Sequence, residues 1–222
     1  FTRWSATQRM ALPPVGLGTM GIETPSTITT AVEIGYRHLD TAQIYDNEAV
    51  VGDGLAASAV DREAVTVATK VWADSLQAAD VRATTTESCE RLGVDRIDLL
   101  YVHRPIESYE PSETLGAFDD LYADGTIGAV GVSNFTVDQL EVARSHLSAP
   151  IVAHQVEFHP LWWSAQLLAD AQQHDSQLVA YSPLAGGHVH EVDTVVEIAE
   201  AHETTPEAVS IAWILSKPNV VT

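Results

Sequence analysis

The chain contains little lysine and almost no cysteine. Among its 222 residues, Lys70 and Lys217 are the only lysines and Cys89 is the one cysteine. A single cysteine excludes an intrachain disulfide and is typical of a reducing compartment, so the sequence predicts a cytoplasmic protein. Cys89 lies in a helical pattern, which favours a structural role for it. No apolar run approaches the roughly 18 residues that a membrane span requires, and no signal peptide is visible.

Positive charge is also scarce. Eleven basic residues stand against 31 acidic ones, which gives a formal net charge of -20. Such a surface repels nucleic acid and anionic membranes, so neither is an expected partner. The low lysine content and the acidic excess resemble the composition of proteins from halophilic archaea, in which high salt screens the self-repulsion. An acidic mesophilic protein is the alternative. Because lysine is so rare, Lys70 at the end of an apolar run is predicted to be needed there.

Short apolar runs rich in β-branched residues alternate with segments of helical periodicity. Strands are predicted at residues 15–18, 37–41, 65–69, 97–102, 129–132, 152–157 and 178–181. Helices are predicted at residues 26–34, 48–57, 77–92, 111–123, 137–145, 164–173, 192–201 and 206–216, with Thr205 as an N-cap. Seven strand–helix units, with Val220 and Val221 beginning an eighth strand, predict an α/β fold, the parallel (β/α)₈ TIM barrel. A doubly wound sheet is the alternative, but Gly16-Leu17-Gly18 lacks the third glycine of its phosphate-binding fingerprint.

No linker or repeat interrupts this pattern, so residues 1–222 are predicted to form a single domain. The sequence begins at Phe1 rather than at methionine and stops within the predicted eighth strand. Because a barrel of this kind needs a final helix, we expect the C-terminal end to be truncated after Thr222. Whether residues also precede Phe1 stays open.

Four ionisable residues stand at or after the ends of predicted strands, namely Asp40, Tyr45, Lys70 and His103. Strand ends meet on the C-terminal face of a parallel barrel, so we expect these four residues to form one acid–base site. Each also has a simpler explanation when taken alone. Asp40 could cap the next helix, Tyr45 could pack at a rim, Lys70 could lie on the surface, and His103 could be a core histidine.

The motifs around these residues resemble those of the aldo-keto reductases over nearly the whole chain. They are Gly35-Tyr-Arg-His-Leu-Asp-Thr-Ala42, Tyr45-Asp-Asn-Glu48, Ala68-Thr-Lys70-Val-Trp72, Leu99-Leu-Tyr-Val-His103, Gly131-Val-Ser-Asn-Phe135, Gln155-Val-Glu-Phe-His-Pro160 and Ala180-Tyr-Ser-Pro-Leu184. The resemblance implies a barrel that reduces aldehydes and ketones to alcohols with a nicotinamide cofactor and no metal. It also implies that Asp40, Tyr45, Lys70 and His103 are the catalytic tetrad.

The residue types agree with that chemistry. Hydride transfer to a carbonyl places negative charge on its oxygen, so the site needs a proton donor and a group that polarises the carbonyl. A phenol such as Tyr45 is a weak acid at neutral pH, and the ammonium of Lys70 would stabilise its phenolate. Asp40 would pair with Lys70, because a lone buried lysine is costly. His103 would offer a neutral N–H to the carbonyl oxygen.

The resemblance also implies a cofactor site. Ser133, Asn134 and Gln155 match residues that hydrogen-bond the nicotinamide carboxamide, Tyr181 matches the ring that stacks on the nicotinamide, and Ser182 and Leu184 match residues near the pyrophosphate. Ordinary turn chemistry at Ser133 and Asn134, and a core aromatic at Tyr181, are the alternatives. NADP(H) is expected rather than NAD(H) on family habit alone, because the segment that grips the 2′-phosphate would follow Thr222.

Two departures from the family pattern concern the substrate pocket. Met20 and Arg104 stand where many relatives carry aromatic residues, while Trp72 is kept. A cationic rim would attract an acidic substrate such as a sugar acid, but an ion pair of Arg104 with Glu107 or Glu110 is the favoured explanation. The aromatic pair Trp162 and Trp163 is predicted either to line the pocket or to cover the barrel rim.

Function has three candidate classes. The first is a reductase whose partner is a small-molecule carbonyl substrate. The second is a cofactor-binding regulatory module with little turnover, as in the potassium-channel β-subunits of the same family. The third is a metal-dependent barrel hydrolase, but no ligand set occupies successive strand ends, and His188-Val-His190 is better explained as a polar loop. The complete tetrad favours the reductase.

Overall fold

The computed structural model describes residues 10–222 of the chain. Eight strands lie in this range: β1 (Leu17–Gly18), β2 (His38–Asp40), β3 (Thr66–Val71), β4 (Leu99–Val102), β5 (Val130–Ser133), β6 (Ile151–Glu157), β7 (Gln177–Tyr181) and β8 (Val220–Val221). Each strand coincides with or lies close to a predicted one. The main difference is at β3, which continues to Val71, so Lys70 lies within the strand rather than after it.

The strands form one parallel sheet in which each strand pairs with its neighbours in chain order, from β1 to β8. The two edges of the sheet then meet. The Gly16 N–H donates to the carbonyl of Thr222 at 2.6 Å, and the Thr222 N–H donates to the carbonyl of Pro14 at 3.0 Å. These bonds close the sheet, and the predicted (β/α)₈ barrel is confirmed.

The helices surround the barrel, as its parallel crossovers require. In the described range they are α1 (Pro25–Ile34), α2 (Glu48–Ala56), α3 (Ala78–Leu92), α4 (Pro111–Asp124), α5 (Val137–His146), α6 (Ala165–Gln173), α7 (Asp193–Ala201) and α8 (Pro206–Leu215). Helices α7 and α8 both lie between β7 and β8. Thr205 caps α8 as predicted, because its hydroxyl accepts from the Ala208 N–H at 3.2 Å. Within residues 10–222, every helix is too short or too polar to cross a membrane.

The core has two layers because successive side chains of a strand point to opposite faces of the sheet. The outer layer packs the strands against the helices and includes Leu39, Val67, Leu100 and Phe118. The inner layer fills the barrel and includes Leu12, Ala68, Leu99, Tyr101 and Val179. Gly131 makes room for that inner layer, since a Cβ at this position would lie 2.5 Å from the Tyr101 ring. Above this apolar base, inward-facing positions become polar, and Asp40 and Lys70 lie there.

Candidate active site

A cavity of about 880 Å³ opens at the carboxyl ends of the strands. Among the predicted residues, it is lined by Met20, Asp40, Tyr45, Trp72, His103, Arg104, Ser133, Asn134, Gln155, Tyr181, Ser182 and Leu184. Lys70 lies fully buried beside it. The structure therefore brings the four tetrad candidates, the cofactor candidates and the substrate candidates to one site, on the barrel face where such folds perform chemistry.

Lys70 is the centre of the polar cluster. Its ammonium forms an ion pair with Asp40 Oδ1, donates to the Thr41 carbonyl at 2.8 Å, and lies 5.2 Å from the centre of the Tyr45 ring. The second carboxylate oxygen of Asp40 accepts from Gln155 Nε2 at 2.8 Å. Asp40 is thus the partner of a buried ammonium rather than a helix cap, and Lys70 is not a surface residue.

Tyr45 lies on the turn between β2 and α2, where the backbone is held tightly. Asp46, the next residue, has a left-handed backbone with φ of 53°, which is uncommon outside glycine. Asn47 fixes the turn from inside, because its Nδ2 donates to the Thr19 carbonyl at 2.7 Å and its Oδ1 accepts from the Thr41 hydroxyl at 2.9 Å. The phenol is therefore positioned by the backbone that carries it.

His103 follows β4 and stands between two aromatic rings. Its ring centre lies 6.0 Å from that of Tyr45 and 4.9 Å from that of Trp72, both edge to face. Burial, reinforced by the charge of Lys70, lowers the pKa of His103 to about 4. The imidazole is therefore neutral at pH 7 and can donate a neutral N–H. Its buried Nδ1 has no hydrogen-bond partner among the described residues, so His103 is not a fully satisfied core histidine.

The cofactor candidates of β5–β7 form a second polar group on the opposite wall. The Tyr181 hydroxyl donates to Asn134 Oδ1 at 2.9 Å, and Asn134 Nδ2 donates to the His103 carbonyl at 3.1 Å and to Ser133 Oγ at 3.0 Å. Asn134 has φ of 62°. Burial, with a contribution from the charge of Glu157, raises the pKa of the Tyr181 phenol. Amide and hydroxyl groups beside an aromatic ring suit a planar ligand that carries a carboxamide, so these residues fit a nicotinamide.

Ser182 and Leu184 continue this wall into the loop after β7. Ser182 has φ of 52°, and the loop goes on through Ala185, Gly186 and Gly187 with positive φ values of 50°, 65° and 94°. A left-handed backbone is costly for residues other than glycine, here Ser182 and Ala185, and such residues are often found where a loop is shaped for a ligand. Both predicted residues line the cavity.

The substrate candidates lie at the mouth. Met20, Trp72 and Arg104 all line the cavity, and the Met20 side chain is exposed. The favoured ion pair of Arg104 with Glu107 or Glu110 is wrong, because Arg104 forms no ion pair within residues 10–222. The Arg104 side chain is exposed at the rim of the cavity. Glu107 and Glu110 are exposed as well, and neither pairs with it.

Trp162 and Trp163 do not line this cavity. Trp163 packs on Phe158 and Trp213, with ring centres 6.3 Å and 6.1 Å away, so the pair belongs to the barrel rim. His188 contacts Glu191 at 3.1 Å on an exposed loop. Among the described residues, no group of three or more His, Cys, Asp or Glu side chains is arranged to hold a metal ion.

Several lining residues lie outside the predicted set. They include Thr19, Ile44, Ile106, Pro183 and Ile211, which lie on loops or at helix positions that reach the mouth. No local signal distinguishes such residues from ordinary loop residues. Asn47 and Glu48 are different, because both belong to the motif Tyr45-Asp-Asn-Glu48, and their spacing from the phenol could have marked them as its supports.

Known proteins are similar to this chain in sequence and in architecture. The model of the Aldo/keto reductase family matches residues 14–222. Methylglyoxal reductase DkgB of Escherichia coli O157:H7 is 35% identical over 214 residues, which cover 94% of this chain and 80% of that protein. Glyoxal reductase of Bacillus subtilis is 36% identical over 208 residues, covering 92% and 75%. A crystal structure of a putative 2,5-diketo-D-gluconic acid reductase B superposes with a TM-score of 0.91 at 33% identity, covering 95% of this chain and 76% of that one.

Proposed function

The chain belongs to the aldo/keto reductase family and reduces aldehydes or ketones with a nicotinamide cofactor, and we propose that Tyr45 is its proton donor. The observation that carries this assignment is the Lys70 ammonium, which is buried against the Asp40 carboxylate and lies 5.2 Å from the centre of the Tyr45 ring. A positive charge at this place favours the phenolate that remains when the phenol has given up its proton. No observation favours a regulatory module without turnover.

The proton for the reaction comes from a residue of this chain. When bound, the nicotinamide supplies the hydride. Tyr45 gives its hydroxyl proton to the carbonyl oxygen as that oxygen becomes an alkoxide, and the phenolate is stabilised by Lys70 until solvent returns a proton. Asp40 keeps Lys70 in place and balances its charge. His103, neutral because its pKa is about 4, donates an N–H to the same oxygen and orients the carbonyl.

We assign the cofactor wall to Ser133, Asn134, Gln155 and Tyr181, with Ser182 and Leu184 nearer the pyrophosphate. The support is that these side chains line one side of the cavity and offer donors and acceptors beside a ring. We propose NADP(H) as the cofactor on the habit of the family. Parallel measurements of the Kd of NADPH and NADH test this preference, and equal affinities would contradict it.

The substrate proposed is a small carbonyl compound that carries a carboxylate. Apart from Asp40, which is paired with Lys70, Arg104 is the one residue with a permanent charge among the described residues, 10–222, that line the cavity. In a protein of net charge -20, an unpaired guanidinium beside an apolar mouth of Met20, Ile44 and Ile106 is suited to an anion on a short apolar stem. The name of one similar solved structure refers to the reduction of a sugar acid, which agrees with this class.

The experiment compares 4-oxobutanoate with its neutral methyl ester as substrates of the wild type and of Arg104→Gln. Loss of a charged hydrogen bond should lower kcat/KM for the acid by about 10- to 100-fold and leave the ester nearly unchanged. Arg82→Gln is the matched control, because Arg82 is an exposed arginine on α3 that pairs with Asp120 and does not line the cavity. An acid-to-ester ratio that is the same in all three proteins would remove the carboxylate from the proposal. Absence of turnover with both substrates would instead contradict the reductase itself.

We also propose that the protein is halophilic, and that it works in the cytoplasm. The support is composition alone, because 31 acidic residues stand against 11 basic residues, of which only two are lysines. Repulsion among these charges should be screened at molar salt, where the Debye length is about 3 Å, against about 30 Å at 0.01 M. Melting curves at low and molar chloride, with cofactor held constant, should show a Tm that rises with salt. A flat or falling Tm would mean that the acidic surface serves only solubility.

A further inference from the structure

Glu48 is a buried carboxylate that takes no part in the proposed proton transfer. It begins α2 and is 2% exposed. One carboxylate oxygen accepts from the Thr69 hydroxyl at 2.5 Å, and the other accepts from Arg91 Nε at 2.8 Å and from the Ser88 hydroxyl at 3.2 Å. A buried ion pair is weak evidence for stability, because well-packed apolar residues often stabilise such a position equally well. The specific contacts of Glu48 therefore call for an explanation other than stability.

The hydrogen bonds of Glu48 continue into the turn that carries Tyr45. Gln43 Nε2 donates to Ser88 Oγ at 3.1 Å, and Gln43 Oε1 accepts from the backbone N–H of Trp72 at 3.2 Å. We call Gln43, Glu48, Thr69, Ser88 and Arg91 the Glu48 network. It lies between β3, α2 and α3, on the outer side of the barrel wall.

The Glu48 network connects the segment that carries Tyr45, the proposed acid, with the segment that carries the ammonium of Lys70. Gln43 and Glu48 lie on either side of Tyr45 in the sequence, and Thr69 and Trp72 lie on either side of Lys70. Because strand side chains alternate, Thr69 points outward to Glu48 while Lys70 points into the barrel. The Tyr45 hydroxyl has no hydrogen bond to another described residue, so its position depends on the backbone that these contacts hold.

Close packing of α2 against α3 makes the network possible. A Cβ on Gly52 of α2 would lie 2.4 Å from the Leu92 carbonyl oxygen and 2.9 Å from that of Arg91. Only glycine allows the helices to approach this far, and the approach brings Arg91 and Ser88 of α3 within reach of Glu48.

We propose that Glu48 is a positioning residue for carbonyl reduction, and that through Thr69, Ser88 and Gln43 it sets where Tyr45 lies relative to Lys70. The inference rests on the proposed role of Tyr45. It adds a residue that touches neither substrate nor cofactor. Its effect should therefore appear in the proton transfer and not in binding.

The test is Glu48→Gln, measured by kcat, substrate KM, cofactor Kd and the pH dependence of reduction. Gln cannot accept from Arg91 as a carboxylate does, so the turn should shift away from β3. Displacements on the ångström scale cost up to about 100-fold in rate, and we expect kcat to fall by about 10- to 100-fold with KM and cofactor Kd little changed. With the phenol farther from the ammonium, the pH–rate profile should also differ from that of the wild type.

Asp170→Asn is the matched control. Asp170 is a similarly buried carboxylate whose two oxygens accept from Arg144 at 2.9 Å and 2.5 Å, between α5 and α6. Its replacement should lower Tm in the same way as Glu48→Gln, but it should leave kcat and the pH profile as in the wild type. If both variants lower Tm alike and both retain the wild-type profile, Glu48 has a merely structural role and the proposal is wrong.

Gln43→Ala decides the question if Glu48→Gln does not fold. It removes only the link from the turn to Ser88 and Trp72, and it should lower kcat and alter the pH–rate profile by a smaller amount. An unchanged profile there overturns the proposal. If the Tyr45→Phe variant is active, the proposed role of Tyr45 is wrong. If the Tyr45→Phe variant is inactive and the Glu48→Gln variant behaves as the wild type does, only the proposed role of Glu48 is wrong.

Discussion

In the half of the barrel from β2 to β4, the Lys70–Asp40 pair is buried and held by contacts within the protein, whereas from β5 to β7 Asn134 and Tyr181 bond to each other at the wall of the open cavity. Lys70 is fully buried with Asp40 and the Thr41 carbonyl. Asn134 and Tyr181 are only half-buried, and each satisfies the other. Proton transfer requires a fixed geometry before substrate arrives, so the first half is preorganised.

The second half presents to a ligand groups that its own contacts already orient. Asn134 Oδ1 accepts from the Tyr181 hydroxyl and keeps a second lone pair, so this contact holds the amide in place and leaves it able to accept a further hydrogen bond. Side-chain hydrogen bonds join the halves, from Gln155 Nε2 to Asp40 Oδ2 at 2.8 Å and from Asn134 Nδ2 to the His103 carbonyl at 3.1 Å. The comparison predicts that changes in the first half reduce turnover and changes in the second half alter affinity.

Tyr45→Phe should have the largest effect. It keeps the ring next to Lys70 and His103 but removes the proposed proton donor, and general acid catalysis is worth about 10²- to 10⁴-fold. The loss should appear in kcat, with cofactor Kd nearly intact. Steady-state assays combined with a cofactor titration measure both, and retention of more than about a tenth of the wild-type kcat would remove Tyr45 from its assigned role.

Lys70→Met should come next, with a loss of about 100-fold at neutral pH, because the phenolate loses its electrostatic support. The pH–rate profile should differ from that of the wild type, because no positive charge remains beside the phenolate that forms in the reaction. Asp40→Asn should act in the same direction but more weakly, since it removes only the partner of Lys70. Profiles that superimpose on the wild type would mean that Lys70 and Tyr45 are not coupled.

Tyr181→Phe should have the smallest effect and should act on binding. It keeps a ring on the cofactor wall but loses the 2.9 Å bond to Asn134, so cofactor Kd should rise by about fivefold while kcat changes little. Tyr109→Phe is the matched control, because the buried Tyr109 hydroxyl has no hydrogen-bond partner among the described residues. If both variants bind cofactor as the wild type does, the Tyr181 hydroxyl does not shape the second half.

Most of the barrel could be predicted because its signals are local. The alternation of β-branched runs with helical periodicity placed the strands and α-helices to within a few residues, and Thr205 marked the start of α8. The end of β3 was less predictable. Lys70 looks like a strand terminator in sequence, yet it stays within β3 because Asp40 neutralises its charge inside the barrel.

The arrangement of charges could be predicted only in part. Lys70 and Asp40 meet because both point into the barrel from neighbouring strands, which strand order implies. The environment of Arg104 could not be predicted in this way. Its closeness in sequence to Glu107 and Glu110 favoured an ion pair, but these residues form none in the structure. An exposed ion pair adds little to the free energy of folding. Closeness in sequence therefore cannot predict whether an exposed arginine pairs with a carboxylate or is hydrated by water.

The sequence by itself determined the closed parallel barrel and the identity of its four acid–base candidates, because hydrophobic period and strand-end motifs are written in consecutive residues. Only the tertiary structure decided which groups stand alone and which are held. Glu48 meets Thr69, Ser88 and Arg91, which follow it by 21, 40 and 43 positions, and Arg104 is left without an ionic partner in the described chain. Both outcomes depend on how helices pack and where side chains point, and these are set by the whole fold rather than by any one segment.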